Sequence, residues 1–208
     1  MGPESFPVEP PGPDRWDAWS PEELRDRLGG VSSSWYVAGG WALDLWHGHA
    51  TRVHEDLEFC ILHERFGAFR AALGGFDLFA AGDGRVWRLP EGDDLPADVH
   101  QVWGLDQAAG AWRFDMMIEP GTEAVWRYKR DPSLARPRGE AVRVSRSGIP
   151  FLDPALVLLF KAKHARDKDE ADLRRAWPKL PAADRRWLAA RIGHHHPGHH
   201  WLGLLREP

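Results

Sequence analysis

The chain has 208 residues, a formal charge of −4, 43% hydrophobic residues and a single cysteine. Such a length suits one compact domain, or a main domain with a small helical annex, and the apolar share is enough to build a core. The charge balance gives no electrostatic footprint for bulk nucleic-acid binding. No apolar run approaches the roughly 20 residues that span a bilayer. There is no basic-then-apolar leader pattern, and the lone Cys60 excludes an internal disulfide framework. A reducing, cytoplasmic setting is the expectation.

Residues 1–15 hold five prolines and no apolar period, which predicts a disordered tail. Ser20-Pro21-Glu22-Glu23 supplies an N-cap, a first-turn proline and a Glu at N3, so a helix should run from there to Gly29-Gly30. Trp35 to Ala38 reads as a short buried strand, and Trp41 to His47 as a short helix closing at Gly48. From Asp56 to Leu62 polar and apolar residues alternate, the period of a strand with one buried face. A helix over 64–73 and four extended runs between 76 and 119 follow. The stretch 127–146 is basic, with seven Arg/Lys against two acids, and reads as a loop that lies over a ligand or in solvent. Helical patterns then occupy the chain from Pro154, over 168–177 and 182–192, and briefly after Pro197. The expectation is an α+β fold: a mixed-sheet domain over 16–146, then a C-terminal helical region over 147–208.

Three features carry chemistry. Gly39-Gly40 lies between a strand and a helix, where backbone N–H groups can approach a phosphate, although such a turn also needs glycine for geometry alone. In His54-Glu55-Asp56-Leu57-Glu58-Phe59, a strand would point Asp56 and Glu58 to one face and Leu57 and Phe59 to the core. Paired carboxylates repel unless a hard divalent cation sits between them, but alternating acids also decorate solvent faces. In Arg113-Phe114-Asp115-Met116-Met117-Ile118, an acid emerges opposite a buried apolar face. Asp98 is the rival for a third carboxylate.

Gly39-Gly40 followed by Asp56-Leu57-Glu58-Phe59 resembles the signature of the nucleotidyltransferase superfamily. The longer string GGWALDLWHGHATRVHEDLEF is similar to the lincosamide and aminoglycoside nucleotidyltransferases. GIPFLDPALVLLFKAK with KDEADL resembles their C-terminal helices. Glu58 stands where the drug-modifying members more often carry Asp; the wider superfamily accepts either. The resemblance implies a polymerase-β-like mixed sheet closed by a C-terminal helical bundle. It implies Mg²⁺, two ions, held by Asp56, Glu58 and Asp115. The reaction implied is transfer of a nucleoside monophosphate from an NTP, ATP foremost, to a hydroxyl of a small molecule such as an aminoglycoside or lincosamide. Asp115 would hold metal or act as general base.

Gly39, Gly40, Arg52, His54, Lys161 and Lys168 are the expected nucleotide contacts. Arg52 and His54 have an alternative in pairing with Asp44 or Glu55, and the lysines in lining a solvated helix face. Other readings of the same signature are a toxin-type enzyme modifying tRNA or protein, and a nucleotide-binding module without turnover. Glu91, Asp93, Asp94 and Asp98 form an acidic segment able to draw in a cationic acceptor. The histidines between His194 and His200 suit a helix C-terminus without any metal, and Cys60 suits a small buried side chain. The sequence leaves oligomeric state open, a homodimer included.

Overall fold

The structure, a computed structural model, describes residues 10–92 and 94–205. Its first helix follows from local chemistry. The Ser20 side chain accepts from the Glu23 N–H at 3.2 Å and the Glu23 carboxylate accepts from the Ser20 N–H at 2.8 Å, a reciprocal cap that starts α1 (Pro21–Arg27). The chain then forms β1 (Trp35–Val37), α2 (Gly39–His47), β2 (Glu58–Leu62), α3 (Phe66–Ala72), β3 (Asp77–Gly82), β4 (Arg85–Arg88), β5 (Gln101–Asp106) and β6 (Ala111–Glu119). The remainder comprises β7 (Val125–Tyr128), β8 (Asp131–Pro137), α4 (Arg138–Ala141), β9 (Val142–Val144), β10 (Pro150–Leu152), α5 (Pro154–Ala162), α6 (Asp167–Ala176), α7 (Ala182–His195) and α8 (Trp201–Leu204).

Eight strands make one sheet in the order β4-β3-β5-β6-β2-β1-β10-β9, and β7 and β8 form a separate hairpin. Only β1–β10 and β2–β6 run parallel. The sheet is therefore mixed, as expected. Val37, Phe59, Phe114 and Met116 are fully buried in its centre, and helix α5 packs against α2, α6 and α7 in the same core. Among the described residues no helix is long and apolar enough to cross a membrane.

Four expectations change in detail. Residues 1–9 of the tail lie outside the described residues, but Gly12 and Arg15 are held to β6. Gly12 O accepts from the Trp112 indole, Arg15 O accepts from the Trp112 N–H at 2.8 Å, and Trp16 packs in a ring cluster with Trp103 and Trp112. Gly39 and Gly40 are the first two residues of α2 rather than a turn before it. The basic stretch 127–146 is not a loop: it supplies most of the β7–β8 hairpin, then α4 and β9. The division at 147 falls between β9 and β10, neighbours in the sheet, while Leu156, Leu188 and Trp201 of the C-terminal helices share the main core.

Candidate active site

The parallel pairing of β2 with β6 sets Glu58 directly beside Asp115. Backbone bonds fix this end of both strands: Asp115 N–H donates to Leu57 O at 2.8 Å, and Ala38 N–H donates to Glu58 O at 2.9 Å. Asp56 lies two residues earlier, half-buried in the loop leading into β2 rather than on the strand itself. The three acids feel one another. Burial, then Asp56, pushes the Glu58 carboxyl up to about 6, against the pull of Lys161, Arg166 and Lys168. Burial, then Glu58, raises Asp115 well above the usual carboxylate range.

Asp115 is 4% exposed, and its two oxygens are treated unequally. Oδ2 accepts from the Gln101 amide at 2.6 Å, whereas Oδ1 is buried with no partner in hydrogen-bond geometry; the Trp103 indole, across the strand pair, is a nearby donor that also draws the carboxyl down. An ionised oxygen in that position is costly unless a cation or donor meets it. A divalent ion would meet it and would reverse the upward pKa tendency; the chemistry of the donor set, carboxylates only, suits a hard ion such as Mg²⁺, although the oxygens of Asp56, Glu58 and Asp115 do not all lie within 4.8 Å of one another. Asp98, the rival, is exposed in the turn before β5.

The Gly-Gly pair is imposed by these neighbours. Gly39 adopts φ +59°, and a Cβ there would collide with Glu58 Oε2; a Cβ at Gly40 would collide with Arg52 Nη2 and the His54 ring. Arg52 and His54 thus lie behind the start of α2. His54 Nε2 meets Asp44 Oδ2 at 2.6 Å, its ring stacks on Trp41 at 4.3 Å, and its side chain is 2% exposed. Arg52 Nε donates to Asp172 at 3.2 Å and its Nη1 to Val53 O. Pairing with Asp44, the alternative role for His54, is present in the structure: buried Asp44 needs a donor, and His54 supplies it. Arg52 is likewise engaged by the nearly buried Asp172.

The lysines also differ from a solvated helix face. Lys161 Nζ sits 2.8 Å from Asp169 and 3.0 Å from Asp172, all three side chains nearly buried. Asp169 is held down at about 2: burial pushes it up, but Arg166 and Lys161 outweigh that. Lys161 nonetheless reaches a cleft of about 530 Å³, together with Gly39, Glu58 and Arg166. Lys168 is half-exposed and pairs with Glu55 at 3.1 Å. The cleft is roofed partly by Arg127, Lys129 and Arg130 of the hairpin, and Tyr36 and Glu119 contribute to its wall. Tyr36 hydroxyl donates to Glu119, which Arg138 also binds, and the Trp126 indole donates to Tyr36 at 3.0 Å. This network ties the hairpin to β1 and β6, and no motif in the sequence marks it. Arg166 was the more legible omission, since it falls within the basic spacing Lys161-Lys163-Arg166-Lys168. Cys60 is buried beside the cleft with its thiol pushed up by burial, which fits a packing role.

A model of the aminoglycoside-2''-adenylyltransferase family matches residues 22–124, just under half of the chain, a span that includes Gly39, Gly40 and all three acids. Over that span the chain is similar to a nucleotidyltransferase family. In fold, the chain is similar to the solution structure of the antibiotic-resistance factor ANT(2'')-Ia, with a TM-score of 0.54 at 15% identity over 84% of this chain and 94% of that one. The crystal structure of ANT(2'')-Ia with adenylyl-2''-tobramycin gives 0.56 at 14% identity, covering 84% and 95%. The lincomycin-bound lincosamide adenylyltransferase LnuA gives 0.50 at 13% identity, covering 74% and 91%. No curated protein sequence matches the chain significantly.

Proposed function

We propose that the chain is a nucleotidyltransferase that moves a nucleoside monophosphate, AMP from ATP foremost, onto a hydroxyl of an aminoglycoside- or lincosamide-like molecule and releases pyrophosphate. The observation that carries the reading is the unpartnered, buried Oδ1 of Asp115 beside Glu58. The family match and the acceptors held by the two similar enzymes, tobramycin and lincomycin, support the substrate class.

Asp56, Glu58 and Asp115 would hold Mg²⁺, which when bound neutralises triphosphate charge and polarises the reacting phosphorus. The chain's own groups do the rest. The N-terminus of α2 offers the Gly39 and Gly40 N–H groups to phosphate oxygens. Lys161 donates to Asp169 and lies 3.0 Å from Asp172, which leaves a proton for the cleft. Arg166 and the hairpin cations add charge around a volume suited to a nucleotide. Asp115 orients the acceptor hydroxyl and takes its proton as the new bond to phosphorus forms. Arg52 and His54, packed against Gly40, brace the start of α2.

The test is pyrophosphate release by purified protein with Mg²⁺, each of the four NTPs, and a panel of aminoglycosides and lincosamides. Acceptor-dependent release with ATP is expected. Silence across the whole panel, with triphosphate binding that ignores divalent metal, defeats the proposal.

A further inference from the structure

Outside the cleft, another set of ligand-type side chains converges. Asp131, at the start of β8, meets His194 and His195 in the last turn of α7, and one ligand atom from each lies within 4.8 Å of the others. The arrangement is not an ordinary ion pair. Asp131 Oδ1 is occupied by the Ser133 N–H at 3.0 Å and the Ser133 hydroxyl at 2.6 Å. That leaves Oδ2 turned toward His195 Nε2 at 3.8 Å, too far for a hydrogen bond. His195 Nε2 is buried and has no hydrogen-bond partner. Its ring is held in place by Tyr128 at 5.4 Å and lies edge-on to His194 at 4.9 Å.

We propose that Asp131, His194 and His195 form a second cation site, for a divalent borderline metal of the zinc class, which clips the β7–β8 hairpin to the end of α7. Two protein ligands about 2.0–2.1 Å from a tetrahedral ion stand about 3.3 Å apart, so the gap between Oδ2 and Nε2 closes around an ion with a small adjustment. Two imidazoles and a carboxylate select zinc-like ions over Mg²⁺, which prefers oxygen ligands in an octahedron. The carbonyl end of α7 adds a field favourable to a cation. Ser133, bonded to the opposite oxygen of the same carboxylate, provides the outer hydrogen bonds that orient a metal ligand. A fourth position stays open to water.

The consequence is mechanical. The hairpin carries Arg127, Lys129 and Arg130 over the cleft, and its other supports include the Tyr36–Glu119–Arg138 network, the bond from Arg130 to Phe160 O at 2.9 Å, Trp126 and Tyr128 packed on Phe160, and Arg136 over Trp187 of α7. A clip on Asp131 would fix the tip of that roof without contributing to the acid site.

The experiment uses the full chain without an affinity tag, in excess Mg²⁺ to occupy the three acids, titrated calorimetrically with zinc chloride. Wild type should show one tight site and a rise in unfolding temperature on zinc addition. Asp131→Asn and His195→Gln should each weaken zinc at least tenfold and lose the thermal shift, while His200→Ala keeps both. Should His195→Gln fail to fold, His194→Gln replaces it beside Asp131→Asn, which lies on the hairpin surface. No tight zinc site in wild type, or one whose affinity survives Asp131→Asn and the histidine substitution, overturns the proposal.

Discussion

Two groups of buried charge lie close to α2, and they are satisfied differently. Where α2, α5 and α6 meet, the acids are matched within the protein: Asp44 by His54 and Thr51, Asp172 by Arg52, Lys161 and Arg175, Asp169 by Lys161 and Arg166. Where β2 meets β6, Asp115 has one hydrogen-bonded oxygen and one with no partner in hydrogen-bond geometry, and Glu58 is raised by burial and Asp56. Desolvated charge that is balanced by protein groups is architecture. Desolvated charge left unbalanced is strain that a ligand relieves, and that difference separates the two groups more cleanly than their sequence motifs do.

The sharpest way to break the comparison is at Asp115. Asp115→Asn should keep the fold and most of the NTP affinity while slowing single-turnover transfer by roughly 10² to 10⁴, the scale for losing a general base. Asp98→Asn should stay close to wild type. A dead Asp98→Asn enzyme beside an active Asp115→Asn would reverse the assignment.

The matched group should respond in stability. Asp172→Ala leaves Lys161, Arg52 and Arg175 facing a buried gap, and breaking a buried pair typically costs about 3–5 kcal/mol. Urea denaturation would measure this; a loss under about 1 kcal/mol would mean the network is as dispensable as an exposed pair.

Smaller, and opposite in sign, is the pH response of the unmatched group. Glu58 keeps its proton to about pH 6 in the folded chain but only to about 4.5 when unfolded, so its own contribution to the stability of metal-free protein is lost as pH rises through that window. The contribution is at most about 2 kcal/mol. Glu58→Gln should flatten the profile, and saturating Mg²⁺ should restore stability near neutrality. A wild type that instead gains stability relative to Glu58→Gln between pH 4.5 and 6 would show that Glu58 has a partner after all.

The smallest effect concerns the acidic segment between β4 and β5, where Glu91, Asp94 and Asp98 are exposed and Asp93 lies outside the described residues. Neutralising all four acids should lower acceptor kcat/KM by less than about tenfold and weaken its dependence on salt. An unchanged salt dependence removes these acids from any role in attracting the acceptor.

Much of this was legible in the chain. The cap at Ser20, the alternation around Leu57 and Phe59, and the lone acid between Phe114 and Met116 are local signals that mark elements present here, although β2 starts only at Glu58 and buries both of its faces from Phe59 on, not one. The adjacency of β2 and β6 was not readable from spacing, because parallel neighbours joined through other strands leave no local mark. The hairpin was hidden for a different reason. β8 begins Asp131-Pro132, ends at Pro137 and pairs only with β7, so its residues follow no core-facing alternation. Lys161, Asp169 and Asp172 read as a solvated charge run because burial on α5 and α6 is decided by what packs over them, which composition does not encode.

The contact between Gly39 and Glu58 constrains how this chain can vary. Glycine at 39 is favoured by its left-handed backbone, and a Cβ there would also displace the end of the Glu58 carboxylate, one methylene longer than an aspartate in its place would be. The two positions are therefore not independent letters. Shortening residue 58 withdraws the oxygen that a Cβ at 39 would displace, leaving only the backbone cost of roughly 1 kcal/mol. Substitutions at this pair should be non-additive, so a scan of single mutants would overrate glycine, because part of that preference belongs to the acid across from it.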